Sequence, residues 1–282
     1  MKRVAVIGAG TMGNGIAHVF AQAQWDTTLI DVSQDQLTRA LATIDKNIER
    51  QIKKGAMTAY ERSGLLARLH TATALAAAKD AELVVEAATE KREIKFKIFS
   101  DLDRIVSADT VLASNTSSIS IGDIAAHTGR PTKVIGLHFM NPVPLMNLVE
   151  IIRGKETSNE TVKEVVDIVQ ALKKTPVVVN DSPGFVSNRV LMPMINEAIF
   201  CVQEGIATPE AVDEIMKLGM NHPVGPLALA DLIGLDVCLD IMKVLEDGFN
   251  DQKYRAAPLL KEMVAAGQLG RKSGKGFYAY RD

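Results

Sequence analysis

The chain has 282 residues, 47% of them hydrophobic and 23% charged, with a formal net charge of -2. That is enough length to bury one or two cores, and the balance offers no basic excess for nucleic acid. Cys201 and Cys238 lack metal-type spacing and read as plain core thiols, which fits a reducing, cytoplasmic setting.

Met1-Lys2-Arg3 before an apolar run superficially resembles a signal peptide. The run meets a glycine-rich segment too early for that, and no small-residue cleavage site follows, so Arg3 to Ile7 is expected to be a strand. Gly8-Ala9-Gly10-Thr11-Met12-Gly13 then opens a helix to about Ala23. Strand, tight turn and helix are what a phosphate-gripping first unit requires. Thr27 to Ile30 is the second expected strand and ends at Asp31. Ser33 and Gln36 have capping-box spacing, and Leu37, Leu41, Ile44, Ile48 and Ile52 draw an apolar helical stripe that closes at Gly55.

A shorter helix is expected from Ala59 to Ala67, then strands at Leu83 to Val85, Val111 to Ala113 and Val134 to Leu137. Between the first two of these strands, Ile94, Ile98, Leu102 and Ile105 mark the face of a helix over Lys91 to Ile105. Leu148 to Ile152, a helix from Glu160 to Leu172, and Val177 to Val179 continue the alternation, which implies a mostly parallel sheet covered on both sides. Asn180-Asp181-Ser182-Pro183-Gly184 breaks the pattern, so a first domain is expected over residues 1–182 and a second over 183–282.

The second part reads as helical at Phe185 to Gln203, Pro209 to Leu218, Leu227 to Gly248 and Pro258 to Ala266, with one short strand at Gly276 to Tyr278. Asp231, Asp236 and Asp240 argue against a membrane span in the apolar stretch from Gly225 to Met242. Residues 250–282 hold seven Lys or Arg against three Asp or Glu, either a solvated tail or a contact for an anionic substrate portion. A helical domain beside a nucleotide-binding one predicts a small-molecule cleft at their junction.

Gly8, Gly10 and Gly13 complete the G-x-G-x-x-G pattern in a Rossmann-like setting, so Thr11, Met12 and the following helix start are candidate cofactor contacts. Asp31 would accept hydrogen bonds from an adenosine ribose and repel a 2'-phosphate, which favours NAD over NADP. A flavin uses the same fingerprint, and the first domain alone leaves both open. His138 follows a predicted strand, where open sheets face their ligands. Glu150, twelve residues on, lies in the apolar Leu148-Val149-Glu150-Ile151-Ile152 and needs a partner, which a histidine would supply unless Glu150 faces solvent. Asn115-Thr116-Ser117-Ser118 closes another expected strand, either as a polar turn or as a set of hydrogen-bonding groups for a ligand.

GAGTMGNGIAHVFA from Gly8, NTSS from Asn115, HFMNPVPLMNLVEII from His138, DSPGFVSNR from Asp181, NHPVGPLALADLIGLD from Asn221 and GQLGRKSGKGFYAY near the C-terminus occur in order over essentially the whole chain. Together they resemble the bacterial 3-hydroxyacyl-CoA dehydrogenases, especially the stand-alone 3-hydroxybutyryl-CoA type. The resemblance implies NAD-linked, reversible oxidation of an (S)-3-hydroxyacyl-CoA and a homodimer formed through the helical domain. It sets the catalytic pair on His138 and Glu150, and substrate-positioning groups on Ser117, Asn141 and Asn188. It sets cofactor contacts on Asp31, Glu90, Lys95, Asn115, Ser117 and Asn141, and the CoA arm on Lys53 and Lys54. No metal and no membrane are implied. The chain departs from the family's habit at Gln24, where glycine is common, at Asn147, where lysine is common, and in Ala87-Ala88-Thr89-Glu90. The rival readings are a related dehydrogenase acting on another 3-hydroxy acid or on a longer or dicarboxylic acyl-CoA, and a nucleotide-sensing or structural protein that binds NAD without turnover.

Overall fold

The computed structural model describes residues 2–280, and the chain forms two compact units, Met1–Asp181 and Ser182–Asp282. The first is a Rossmann-like unit and the second is helical. No helix among the described residues is long and apolar enough to cross a membrane.

Among its described residues the first unit holds eight strands: β1 (Arg3–Ile7), β2 (Asp26–Ile30), β3 (Leu69–Ala72), β4 (Leu83–Glu86), β5 (Val111–Ser114), β6 (Val134–Phe139), β7 (Leu148–Arg153) and β8 (Thr175–Asn180). They lie in the order β3-β2-β1-β4-β5-β6-β7-β8. Every pairing is parallel except β6 with β7. The central strands are short runs rich in Val, Ile and Leu, buried on both faces, as parallel strands under two layers of helices must be. Six helices cover them: α1 (Thr11–Gln22), α2 (Gln34–Lys53), α3 (Ala59–Ala67), α4 (Arg92–Ile105), α5 (Ile121–Ala125) and α6 (Asn159–Ala171).

Several sequence expectations change in detail. The α2 stripe buries Leu37, Ala40, Ile44 and Ile48, with Ala40 taking the place expected of Leu41. Its Ser33 hydroxyl accepts the Gln36 N–H, while the full reciprocal capping box belongs to Thr58 and Glu61 at the start of α3. In α4 the buried residues are Lys95, Phe99 and Leu102, so the core face is turned away from the expected Ile94–Ile98 line. Ile94 is 40% exposed. Gln24 turns the chain after α1 at φ +67°, a left-handed conformation that glycine adopts without steric cost.

The second unit packs α7 (Ser187–Gln203), α8 (Pro209–Gly219), α9 (Pro226–Ile233), α10 (Leu235–Phe249) and α11 (Pro258–Ala265) around Met192, Ile195, Ile199, Leu227, Leu235, Met242, Leu245 and Leu260. Pro209, Pro226 and Pro258 start their helices, where a missing N–H costs nothing. The single helix expected over Leu227 to Gly248 is two helices, because Gly234 takes φ +108°. Gly276 to Tyr278 is not a strand: isolated bridges flank it. Phe277 and Tyr278 donate their N–H groups to the buried Asp231 carboxylate, which also accepts the Tyr280 hydroxyl, so a carboxylate rather than a sheet holds the C-terminal strap.

His18 of α1 is fully buried, and its Nδ1 has no hydrogen-bond partner. Burial pushes its pKa down to about 4 from 6.5. An imidazole that stays neutral in the folded chain but takes a proton below 6.5 when unfolded destabilises the fold as pH falls through that window. His18→Gln should therefore remove about 2 kcal/mol of the stability lost between pH 7 and pH 5. Urea unfolding of both proteins at the two pH values measures this, and parallel losses would contradict it.

Candidate active site

The turn between β1 and α1 is shaped by contacts only glycine permits. At Gly8, φ is +98° and a Cβ would lie 2.7 Å from the Ala87 carbonyl oxygen; at Gly13 a Cβ would lie 1.7 Å from the Gly8 oxygen. A Cβ at Gly10 would meet nothing within 4 Å, which leaves the side of the turn toward the α1 N-terminus open. Gly10 caps α1 without a side-chain bond, so the helix presents amides and a partial positive charge there. Asp31 fastens the same turn: its carboxylate accepts the Ala9 N–H at 2.8 Å and the Ser33 N–H at 2.9 Å.

A groove of about 940 Å³ runs along this turn past Gly8, Gly10, Thr11, Met12 and Asp31. Val32, Leu75, Ile94 and Ile98 give it an apolar wall. Ile94 and Ile98, expected in the core, thus line a ligand groove, which explains their apolar character on a half-exposed face. Open phosphate-facing amides, a carboxylate at the ribose position and an apolar slot for a base fit a dinucleotide. Among the described residues no three His, Cys, Asp or Glu side chains gather as a metal site would need.

On the other side of β1, the antiparallel register of β6 and β7 sets His138 directly opposite Glu150. Both side chains leave the sheet on one face, and His138 Nδ1 lies 2.9 Å from Glu150 Oε2. Relative exposures of 9% for His138 and 3% for Glu150 mean that little water screens the pair. His138 is the fifth residue of a six-residue strand rather than the residue after a strand. Asn115 ties the neighbouring strand end to it, its side-chain oxygen accepting the Phe139 N–H at 2.9 Å.

The turn after β5 is held by Glu90. That carboxylate accepts the Ser117 N–H at 3.0 Å, the Ser118 hydroxyl at 2.9 Å and the Thr116 hydroxyl. Lys95 is only 1% exposed and pairs with Glu86 at 2.8 Å and Glu90 at 3.2 Å. Burial would raise the Glu90 pKa, but the Lys95 ammonium and the Thr116 and Ser118 hydroxyls outweigh it and hold the carboxyl below its ordinary range.

Residues 140–147 connect the two partners of the His–Glu pair and are anchored by a group the sequence reading missed. Lys174 is buried, and its ammonium donates to the Val143 and Met146 carbonyls at 2.7 Å each. Val143 packs against Gly15 of α1, where a Cβ would come within 2.8 Å. The loop that exposes Asn141 is therefore fixed to the cofactor helix. Burial lowers the Lys174 pKa. No periodicity marks such a lysine, which lies in the unassigned stretch between the helix expected to end at Leu172 and the strand expected from Val177.

Two other groups of candidates lie apart in the chain. Lys53 and Lys54 are exposed at the C-terminal end of α2, where positive charge complements the helix dipole whether or not a ligand binds. Asn188 belongs to the second unit, near the start of α7, and is buried.

Comparison with known proteins adds a second line of support. Residues 3–182 match the NAD binding domain of 3-hydroxyacyl-CoA dehydrogenase, and residues 184–280 match the C-terminal domain of the same family. A probable 3-hydroxybutyryl-CoA dehydrogenase of Bacillus subtilis is 53% identical over 282 residues, which is all of this chain and 98% of that protein. The crystal structure of an (S)-3-hydroxybutyryl-CoA dehydrogenase from Ralstonia eutropha superposes with a TM-score of 0.97 at 49% identity and full coverage of both chains. A diketoreductase acting on dicarbonyl compounds superposes at 0.86 with 31% identity, covering 99% of each chain. The chain belongs to the 3-hydroxyacyl-CoA dehydrogenase family and is an oxidoreductase that acts on a CH–OH group with NAD.

Proposed function

We propose that the chain interconverts (S)-3-hydroxybutyryl-CoA and acetoacetyl-CoA, with His138 and Glu150 as the proton-transfer pair. The observation that carries this reading is the buried 2.9 Å contact between His138 Nδ1 and Glu150 Oε2. An ionised carboxylate has no hydrogen to give, so Nδ1–H donates and Nε2 is the ring atom that exchanges a proton. In oxidation Nε2 takes the proton of the 3-hydroxyl group while NAD supplies the hydride acceptor; Glu150 then lowers the cost of the charged ring. In reduction His138 returns that proton to the carbonyl oxygen. Neither direction needs Glu150 to give up its charge.

Ser117 and Asn188 serve as donors to the reacting oxygen or the thioester, and Asn141 orients substrate or the cofactor carboxamide. Ser117 is well supported for such a task, since Glu90 holds its backbone N–H. Lys53 and Lys54 meet the phosphates of the CoA arm. These assignments rest on the family likeness; Ser117 is partly exposed and Asn141, Lys53 and Lys54 are exposed, whereas Asn188 is buried. The unit's exposed Val190, Leu218 and Leu232 support a homodimer through the helical unit, and the protein works in the cytoplasm.

NAD rather than NADP is the cofactor of this reading, because Asp31 would stand against a 2'-phosphate. Asp31→Ser should narrow the preference for NADH over NADPH, measured as the ratio of dissociation constants, by at least about tenfold. NADH binding itself should weaken too, as the Ala9 amide loses its anchor. An unchanged ratio would contradict the assignment.

The function itself is tested by following NADH consumption with acetoacetyl-CoA, longer 3-oxoacyl-CoA thioesters and free acetoacetate. The four-carbon thioester should have the highest kcat/KM, and His138→Gln should lower kcat by roughly 10²-fold or more. Faster turnover of a longer thioester or of the free acid would shift the substrate, and a near-unchanged kcat would remove His138 from the reaction.

A further inference from the structure

The ends of β4 and β5 carry a buried charge network that the proton-transfer pair does not use. Glu86, the last residue of β4, is fully buried. Its Oε1 accepts the Ala88 N–H at 2.7 Å and the Lys95 ammonium at 2.8 Å, and its Oε2 accepts the Ser114 hydroxyl at 2.7 Å and the same ammonium at 3.0 Å. Lys95 continues to Glu90 at 3.2 Å, and Glu90 holds the 116–118 turn. One ammonium thus stands between two carboxylates, a formal net charge of -1 for one lysine and two glutamates.

In a doubly wound sheet of this order, β1 to β3 receive the adenosine half of a dinucleotide and β4 to β6 receive the nicotinamide half. The two redox forms differ there by one charge: the ring is cationic in NAD+ and neutral in NADH. A fixed charge in a poorly hydrated crevice distinguishes such ligands even when both make the same contacts. We propose that Glu86, through Lys95 and Glu90, gives the nicotinamide end of the site a net negative charge that favours the oxidised cofactor. Glu86 is a positioning residue, since its carboxylate is enclosed by protein and acts through the lysine it holds. The 38% side-chain exposure of Glu90 lets water screen part of the field. The expected bias is therefore about three- to tenfold, between the limits for water and for a buried site.

The inference rests on the NAD reading of the groove, and a single pair of titrations separates the two. Dissociation constants for NAD+ and for NADH are measured by calorimetry on the full chain, as wild type and as Glu86→Gln, which changes the network from -1 to neutral. The ratio of the NAD+ constant to the NADH constant should rise about three- to tenfold in the variant. Destabilisation alone lowers the number of binding sites and leaves that ratio where it was. A ratio within twofold of wild type, with both forms still bound, overturns the proposal. Glu90→Gln makes the same charge change at a partly exposed position and should move the ratio the same way if Glu86→Gln does not fold; an unchanged ratio there is equally fatal. Wild-type protein that binds neither form would instead defeat the NAD reading.

Discussion

The antiparallel return of β7 against β6 is the constraint on which the site depends. In the parallel part of the sheet, consecutive strands are joined by crossovers and deliver their functional ends from separate loops. Reversing direction at β7, which β8 then follows, makes His138 and Glu150 register partners, so that backbone ladder bonds, rather than flexible side chains, set the spacing of the pair. The connecting residues 140–147 then need a fixed course. Lys174 supplies it by holding two of their carbonyls, and Val143 joins that loop to α1. A change in the strand pairing by one residue would send Glu150 to the opposite face and leave a buried carboxylate without its histidine.

Charge is arranged with the same economy on the other side of the crevice. The glycine turn offers amides and a helix N-terminus to a diphosphate, while Asp31 holds that turn with one oxygen, at the Ala9 N–H, and its own segment with the other, at the Ser33 N–H. Farther along, Lys95 is enclosed between Glu86 and Glu90. Removing one partner from a buried ion pair is far more costly than forming the pair is beneficial, so these groups bind the ends of β4, β5 and α4 into one piece. The cofactor then meets a surface whose dipoles and charges are already oriented, which is the condition under which electrostatics assist a charge-changing reaction.

Much of this was legible in the sequence, for definite reasons. Short β-branched runs and three- to four-residue apolar spacings reported most strands and helices, and the apolar flanks of Glu150 foretold its need for a partner. The misses are equally physical. β3 and α5 are four and five residues long, too short for periodicity to register. Ile94 and Ile98 followed the helical rule but face a ligand groove, and a pattern of apolar residues does not say which apolar phase they meet. Gly234 splits a helix because of a backbone angle, and the Gly276 to Tyr278 segment docks through the carboxylate of Asp231, distant in sequence. Glu86 and Lys174 gave no signal because each acts through partners that only the fold brings together.

The central claim is that His138 and Glu150 act as one unit, and a double-mutant cycle tests it most directly. Turnover of acetoacetyl-CoA with NADH is measured for wild type, His138→Gln, Glu150→Gln and the double variant, each at saturating cofactor. If Glu150 works by orienting and charging the His138 ring, its loss costs nothing further once the ring is gone, and the double variant should match His138→Gln within about threefold. Losses that multiply, with Glu150→Gln slowing the His138→Gln enzyme as much as it slows wild type, would contradict the account.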